Sequence, residues 1–250
     1  MFMRFVQLKI KPETAQAFER FYNFRSAPAL LEVDGCLFAH LIRSDKSESD
    51  FISFTVWETQ DAADRYEAGG YYEVLVSEIE PFTEDTTEWK IRLNDDMTLD
   101  YAPVKEKPEV QGMPVVAGSL SPDPSKKIGE DPYVRILSLK VDPARQEEFR
   151  RVYDDVTTPQ ILEVDGCRAA FLIASNGGGD SVSVTIWDSK EHADAYEHSG
   201  RFEELFSILR PMLSSLYQWK MSLDPRKQAR THSSDDVSVA GYHTVAGVAV

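Results

Sequence analysis

The sequence has few cysteines, no long apolar run and a shortage of basic residues. Its two cysteines, Cys36 and Cys167, are too few for the disulfide framework of a small secreted domain. No stretch reaches the roughly 18 consecutive apolar residues that a membrane-spanning helix needs, and the N-terminus does not read as a signal peptide. We therefore expect a cytoplasmic protein.

Positive charge is outweighed by negative charge. The 250 residues contain 27 Lys and Arg against 42 Asp and Glu, which gives a net charge of −15. Nucleic acids and anionic membrane surfaces are both bound through clustered Lys and Arg. The charge balance therefore predicts no nucleic-acid partner and no membrane partner. Hydrophobic residues make up 42% of the chain, which is enough for a packed core.

The chain contains an internal repeat. The hexapeptide Leu-Glu-Val-Asp-Gly-Cys at residues 31–36 recurs at 162–167. All four tryptophans fall into matching pairs, Trp57 with Trp187 and Trp89 with Trp219. Upstream of the hexapeptide the matches include Arg4, Leu8, Phe18, Tyr22 and Pro28, which correspond to Arg135, Leu139, Phe149, Tyr153 and Pro159. Such self-similarity indicates two copies of one structural unit.

The repeat divides the sequence into four segments. We assign the first repeat to residues 1–94, a linker or extension to 95–131, the second repeat to 132–224 and a C-terminal extension to 225–250. The apolar end of the last segment, residues 245–250, is predicted to dock as a strand or to cover the other half.

Each repeat has the pattern strand, helix, strand, strand, helix, strand. In the first repeat the predicted elements are a strand over 3–10, a helix from Pro12 that Pro28 ends or kinks, strands over 36–43 and 51–57, a helix capped by Thr59, a break at Gly69–Gly70, a further helical stretch, and a strand around Trp89–Leu93. Ser189 takes the place of Thr59 in the second repeat. This order is the ferredoxin-like split βαβ arrangement.

The two faces of the third strand differ in character. Ile52, Phe54 and Val56 share one face, whereas Phe51, Ser53, Thr55 and Trp57 share the other. We expect the second, mixed face to be free of helices and to be covered by the sheet of the sister repeat. The predicted fold class is therefore α+β, with two ferredoxin-like repeats whose antiparallel sheets pack into a dimeric α/β barrel within one chain, around a lined cavity.

Several short segments resemble the antibiotic biosynthesis monooxygenase-like family of dimeric α/β barrels. They are Glu-Val-Asp-Gly-Cys-Leu at 32–37, Leu-Ile-Arg-Ser at 41–44, Phe-Thr-Val-Trp-Glu at 54–58 and the aromatic pair Tyr71-Tyr72, with related residues in the second repeat. The resemblance covers most of the chain outside the linker and the tail. It implies a cofactor-independent monooxygenase that acts on a small aromatic or quinol-type molecule, and so no cofactor.

The sequence departs from this family at residues that matter for chemistry. Many members carry histidine just before the aromatic residue of the last helix, where this chain has Tyr71 and Arg201. Haem-degrading members carry an Asn–Trp–His pattern. The matching positions are Val6, Tyr66 and Val76 in the first repeat and Leu137, Tyr196 and Phe206 in the second. Because the histidine is missing from both copies, haem degradation of that type is not expected.

Two residues are candidates for catalysis. His40 lies on the second strand where the second repeat has Phe171, so the shared scaffold does not require it, and an imidazole can act as a base near neutral pH. Tyr66 could hydrogen-bond a substrate oxygen or donate a proton. A half-exposed histidine of no consequence and a core tyrosine are the competing interpretations.

The candidates for substrate binding are aromatic or small polar residues, and all but Tyr71 recur in both copies. They are Trp57, Thr55 and Tyr71, with Trp187, Tyr196 and Thr185. The tryptophans could stack on a planar ligand, although a core tryptophan is the competing interpretation. The remaining histidines are dispersed and predict no metal site.

Two classes of function therefore remain open at this point. One is the monooxygenase that the resemblance implies, with His40 as the base, Tyr66 as its hydrogen-bonding partner and Trp57 as a wall. The other is a non-catalytic protein of the same fold that binds a small molecule, haem included, or acts as a scaffold. The sequence also leaves a homodimer open.

Overall fold

The computed structural model describes residues 1–93, 99–105, 109–123, 127–129, 132–174, 180–214, 233–234 and 237–249. The chain divides into two units, a first unit built mainly from Arg4–Gly112 and a second unit built mainly from Met113–Thr244. None of the described helices is long and apolar enough to cross a membrane.

The first unit follows the predicted order of elements. These are β1 (Phe2–Lys9), α1 (Ala15–Phe21), α2 (Ala27–Leu31), β2 (Cys36–Ser44), β3 (Asp50–Trp57), α3 (Gln60–Ala68), α4 (Tyr71–Ile79), β4 (Asp85–Leu93) and β5 (Leu99–Lys105). Strands β2, β3 and β1 lie side by side in that order. The Thr59 hydroxyl accepts a hydrogen bond from the Ala62 amide and so caps α3, as predicted.

The second unit repeats this order from β7 to α8, with one added strand before it and two after it. Its elements are β6 (Glu109–Leu120), β7 (Tyr133–Lys140), α5 (Gln146–Val152), α6 (Thr158–Leu162), β8 (Cys167–Ala174), β9 (Asp180–Trp187), α7 (Lys190–His198), α8 (Arg201–Leu209), β10 (Ser233–Ser234) and β11 (Val237–Ala249). Its sheet has the antiparallel order β6, β8, β9, β7, β11. The predicted C-terminal strand is therefore present as far as residue 249, whereas Val250 lies outside the described residues.

The fourth strand of the first repeat pairs differently from the ferredoxin-like expectation. β4 forms a separate two-stranded sheet with β5, and Leu93 lies opposite Leu99. Pairing across so short a connection has a small loop-closure cost, which favours a local partner over a distant one. β5 and β6 both fall within the segment 95–131 that we assigned to a linker or extension. The equivalent strand of the second repeat, around Trp219, lies outside the described residues.

Each long helix widens into a π-helical turn at the same place in both repeats. The turns span Tyr22–Ser26 and Tyr153–Thr157, and each is followed by a short α-helix that contains a proline. Pro28 and Pro159 have no backbone N–H to donate, and their rings clash with the preceding turn of an α-helix. The wider turn accommodates this, and such turns are often found at functional sites.

The repeated hexapeptide forms a turn that depends on its glycine. Gly35 has φ of +87°, a left-handed conformation that side chains disfavour. A Cβ atom at this position would lie 2.8 Å from the Ala62 Cβ of α3. The glycine therefore allows both the turn and the close approach of α3, which explains why Asp-Gly occurs in both copies.

Replacing Gly35 with alanine is expected to destabilise the protein by roughly 2–5 kcal/mol, the sum of the left-handed conformation and the overpacking. Gly70→Ala is the matched control, since Gly70 has φ of +80° but no atom within 4 Å of its would-be Cβ. That variant should lose only about 1–2 kcal/mol. Urea unfolding measures both, and equal losses would contradict the packing argument.

The helices cover the face of the sheet that we predicted to be free of them. The Tyr22 hydroxyl lies 2.9 Å from the Ser53 Oγ, and the Phe18 ring packs edge-on against Phe51 with centroids 5.7 Å apart. The row of β3 that contains Phe51, Ser53 and Thr55 therefore faces the helices, and the prediction for this face is wrong. Alternation along a strand defines two faces but does not say which one the helices cover. The α+β class and the two repeats are confirmed.

Candidate functional site

A cavity lies between the sheet and the helices of the first unit. It has a volume of about 50 Å³, and below we call it the helix-side cavity. Most of its wall is apolar, whereas the polar groups come from one arginine, three tyrosines, two serines and a threonine. The lining residues are Arg4, Val6, Leu8, Phe18, Tyr22, Ser26, Leu30, Ser53, Thr55, Tyr66, Tyr72, Leu75, Val76 and Ile79.

Arg4 brings a buried positive charge to this cavity. Its side chain is only 4% exposed, and one terminal nitrogen donates to the Glu67 carboxylate at 3.2 Å. The centre of the guanidinium lies 4.4 Å from the ring centroid of Tyr72 and 5.4 Å from that of Tyr66, within the range of cation–π interaction. Arg4 is thus held between a carboxylate and two aromatic rings.

The tyrosines of the cavity are neutral phenols at pH 7 and therefore hydrogen-bond donors. Burial raises the pKa of Tyr66 to about 12, although the positive charge of Arg4 lowers it in part. Burial also raises the pKa of Tyr72 and, more strongly, that of Tyr22, whose hydroxyl is paired with Ser53. Neutral phenols donate hydrogen bonds to ligand oxygens, and at pH 7 these tyrosines are not available as bases.

Trp57 lies behind the cavity wall and does not line it. Its Nε1 donates to the Thr55 Oγ1 at 2.8 Å, and its ring packs against Tyr66 with centroids 5.3 Å apart. The second repeat contains the same arrangement, with 2.8 Å between Trp187 Nε1 and Thr185 Oγ1. The contacts of Trp57 with Thr55 and Tyr66 thus belong to the shared scaffold. They hold Tyr66 in place whether or not a ligand is bound.

His40 lies on the other face of the sheet from Tyr66. It is opposite Phe54 in the pairing of β2 with β3, and its ring stacks on Phe38 with centroids 4.1 Å apart. Phe54 and Thr55 point to opposite faces, and Thr55 lines the helix-side cavity. The structure therefore does not bring His40 and Tyr66 to one site, which corrects the hypothesis that they act together.

The environment of His40 is apolar. The side chain is fully buried, and neither ring nitrogen has a hydrogen-bond partner within the described part of the chain. Desolvation lowers the pKa of its imidazole to about 4. At neutral pH the ring is uncharged.

Tyr71 lies outside the cavity as well. It is the first residue of α4 and is 63% exposed, whereas its neighbour Tyr72 lines the cavity. The family aromatic pair thus contributes one residue to the site.

The second repeat has larger side chains at three positions that line the helix-side cavity in the first, and it lacks a tyrosine hydroxyl at a fourth. Leu137, Thr157 and Phe206 replace Val6, Ser26 and Val76, and Phe202 replaces Tyr72. Phe202 and Phe206 stack with centroids 5.5 Å apart. They pack into one apolar cluster that also contains Leu137 and Tyr196. In the second repeat the corresponding space is therefore occupied by the protein's own side chains, and Trp187, Thr185 and Tyr196 are core residues.

Within the described ranges, no three His, Cys, Asp or Glu side chains are placed so that they could hold a metal ion.

The comparison with known proteins agrees with the repeat. The family model described as antibiotic biosynthesis monooxygenase matches residues 1–77 and again residues 132–207. The chain belongs to this family. Among proteins with curated descriptions none matches the sequence.

Solved structures resemble the chain over its whole length. A proposed monooxygenase from Fusobacterium nucleatum superposes with a TM-score of 0.66 at 7% identity, covering 100% of this chain and 96% of the other. A proposed monooxygenase from Lactobacillus acidophilus gives 0.62 at 12% identity, with 100% and 98% covered. An anthrone oxidase-like protein gives 0.51 at 13% identity, with 97% and 90% covered. At these identities the likeness shows the fold, and it agrees with the predicted α+β class of two ferredoxin-like repeats.

The residues that sequence reasoning missed are Arg4 and Val76. Arg4 was recognised only as a matching position of the repeat, although it falls on the strand face that also carries Val6 and Leu8. A charged residue in register with a buried apolar row is a signal of function. The change from Val76 to Phe206 between otherwise similar helices could have shown that the two repeats differ in cavity volume.

Proposed function

We propose that the chain is a cofactor-independent monooxygenase that acts on a small aromatic or quinol-type molecule in the helix-side cavity of the first repeat. One observation carries this proposal: the family fold encloses an apolar cavity that holds one buried guanidinium and several neutral phenols. Apolar walls with a few convergent polar groups are typical of small-molecule sites. Val6, Tyr66 and Val76, the positions of the haem-degrading pattern, all line this cavity.

The size of the cavity requires that it widens when an aromatic ligand enters. An apolar cavity that holds benzene measures about 150 Å³, three times the 50 Å³ found here. Tyr72 and Val76 of α4 form part of the wall, while Tyr71 and Val74 of the same helix are exposed. α4 therefore separates the cavity from solvent along part of its surface, and we propose that this nine-residue helix moves outward when ligand binds.

The chemistry that this site supports uses the substrate as the electron source. An anthrone-type anion can pass an electron to O₂, and the two radicals then combine at the ring carbon to form a peroxide anion, which takes up a proton from water to give the hydroperoxide. Loss of water converts the former methylene to a carbonyl, so that one oxygen atom is retained and the other leaves in water. The role of Arg4 would be to stabilise the anion, that of Tyr66 and Tyr72 to donate hydrogen bonds to its oxygen, and that of the apolar wall to exclude water.

His40 is not part of this proposed site, and the described cavity wall contains no Asp, Glu or His. The substrate proton would then pass to water before the cavity closes. This assignment favours substrates that ionise readily, such as hydroxyanthrones and quinols.

Oxygen consumption tests the proposal. The purified protein, supplied with a panel of hydroxyanthrones and quinols in the presence of EDTA, is expected to take up O₂ faster than the buffer does. With an anthrone the product should be the quinone, and one atom of ¹⁸O₂ should appear in it. If no member of the panel is oxidised above the buffer rate, the proposal fails.

Binding without turnover is the second candidate function. The absence of a base from the described cavity wall favours it. In that case a ligand from the same panel would bind and be recovered unchanged after prolonged incubation in air.

A further inference from the structure

The charge of Arg4 is only partly neutralised by the protein. A buried charge needs a partner that is itself removed from water. The partner of Arg4 is Glu67, whose side chain is 54% exposed. Water screens an exposed carboxylate, and so Glu67 compensates the buried guanidinium weakly. A ligand that carries its own negative charge would complete the pairing from inside the cavity.

The second repeat contains the same ion pair in a more enclosed form. Arg135 donates to Glu197 at 3.2 Å, and Glu197 is 29% exposed. The guanidinium of Arg135 lies 4.4 Å from the ring centroid of Phe202, which has no hydroxyl. The arginine–glutamate pair and the tyrosine beside it, Tyr66 or Tyr196, are therefore part of the shared scaffold, whereas the hydroxyl of Tyr72 has no counterpart next to Arg135.

The hydrogen-bonding capacity around Arg4 also favours an anion. A guanidinium has five N–H donors, and in Arg4 these serve the bond to Glu67 and a hydrogen bond with the Tyr66 hydroxyl, so donors remain for a ligand. The hydroxyls of Tyr66 and Tyr72 add neutral donors next to it. An oxygen anion can accept from several donors at once, while a neutral ether oxygen offers less and gains no charge assistance.

We infer that the helix-side cavity selects ligands in their ionised form, and that it binds the phenolate of an aromatic ligand in preference to the neutral molecule. This inference rests on the proposed function for the location of the site and adds the charge state of what enters it. Arg4 is the residue that makes the selection, and the tyrosine hydroxyls support it.

Equilibrium binding of a chromophoric phenol tests the inference without any turnover. 4-Nitrophenol is titrated into the full-length protein, with its neutral methyl ether, 4-nitroanisole, as the comparison. The phenolate is expected to bind at least tenfold more tightly than the ether. The pKa of the bound phenol should be lower than that of the free phenol, because a nearby positive charge favours the ionised form. Equal affinity for the two compounds, or no binding of either, would overturn the inference.

Matched variants separate the role of Arg4 from a structural one. Arg4→Met should lose the preference for phenolate, whereas Arg135→Met should keep it. Glu67→Gln retains Arg4 and removes the competing carboxylate, so it should bind phenolate several-fold more tightly, and Glu197→Gln should not. If Arg4→Met fails to fold, the Glu67 pair still decides the matter, since unchanged affinity in Glu67→Gln contradicts the inference.

The two proposals can fail separately. Phenolate preference without oxygen uptake would refute only the monooxygenase. Oxygen uptake without phenolate preference would refute only the charge selection.

Discussion

Replacing Val76 with phenylalanine is expected to abolish ligand binding and to lower oxygen consumption at least 100-fold, to the buffer rate, while the protein stays folded. Val76 lines the helix-side cavity from α4, and a phenyl ring is much larger than an isopropyl group. The second repeat already contains this change, since Phe206 occupies the equivalent position and packs into a buried cluster. The scaffold therefore accepts the larger side chain.

The physical reason for so large an effect is the small volume of the site. The cavity measures about 50 Å³, so a phenyl ring at its wall removes the space that a ligand would need to widen. Filling a cavity also restores lost packing contacts, and cavity-filling changes often add about 0.5–2 kcal/mol of stability. A folded protein with an unchanged or raised melting temperature and no binding is the expected combination.

Val74→Phe is the matched control for this prediction. Val74 lies on the same helix and is 49% exposed, so a phenylalanine there changes the surface and leaves the cavity open. Binding and oxygen uptake should remain near the level of the unmodified protein. If Val76→Phe still binds 4-nitrophenol with normal affinity, the ligand site is not in the helix-side cavity.

Much of the fold could be predicted because the repeat shows the sequence of each element twice. The hexapeptide at 31–36 and 162–167, the cap at Thr59 and the break at Gly69–Gly70 all depend on local chemistry, and the structure has them where the sequence places them. The pairing of β4 with β5 was not foreseen, because a strand pattern does not specify its partner. The two faces of β3 were separated correctly, but the helices were assigned to the wrong one. The alternation of side chains along a strand does not show which of its faces the helices cover.

The site was harder to predict because its residues are ordinary core types. Of the candidates in the first repeat, Tyr66 and Thr55 line the helix-side cavity, whereas Trp57 lies behind it and His40 is on the opposite face of the sheet. The argument for His40 rested on its replacement by Phe171 in the other repeat. That difference shows only that the scaffold does not require a histidine. The same argument applied to Val76 and Phe206 bears directly on volume, and volume determines whether a ligand can enter.

The imidazole of His40 is expected to make the protein sensitive to acid. Its pKa is lowered from 6.5 to about 4 by desolvation. Between these two values the unfolded chain binds a proton at this residue and the folded protein does not, so stability falls as the pH is lowered from about 6.5 to about 4. A difference of this size corresponds to a loss of roughly 3 kcal/mol, a large part of the stability of an ordinary domain. Above pH 6.5 the residue is neutral in both states and has no such effect.

Urea unfolding at pH 7, 5.5 and 4 measures this loss, and His40→Phe removes it. Phenylalanine is the residue of the second repeat at this position, where Phe171 is buried on the equivalent strand. Carboxylates also contribute to acid sensitivity, so the difference in slope between the two proteins isolates the imidazole. His198→Gln is the control, because His198 is exposed at the end of α7 and its replacement should leave the slope unchanged.

If His40→Phe loses stability toward pH 4 as steeply as the unmodified protein, the imidazole is not buried in its neutral form. If the same variant also stops consuming oxygen at pH 7 while it remains folded, His40 takes part in catalysis after all, and the helix-side cavity is not the whole of the site.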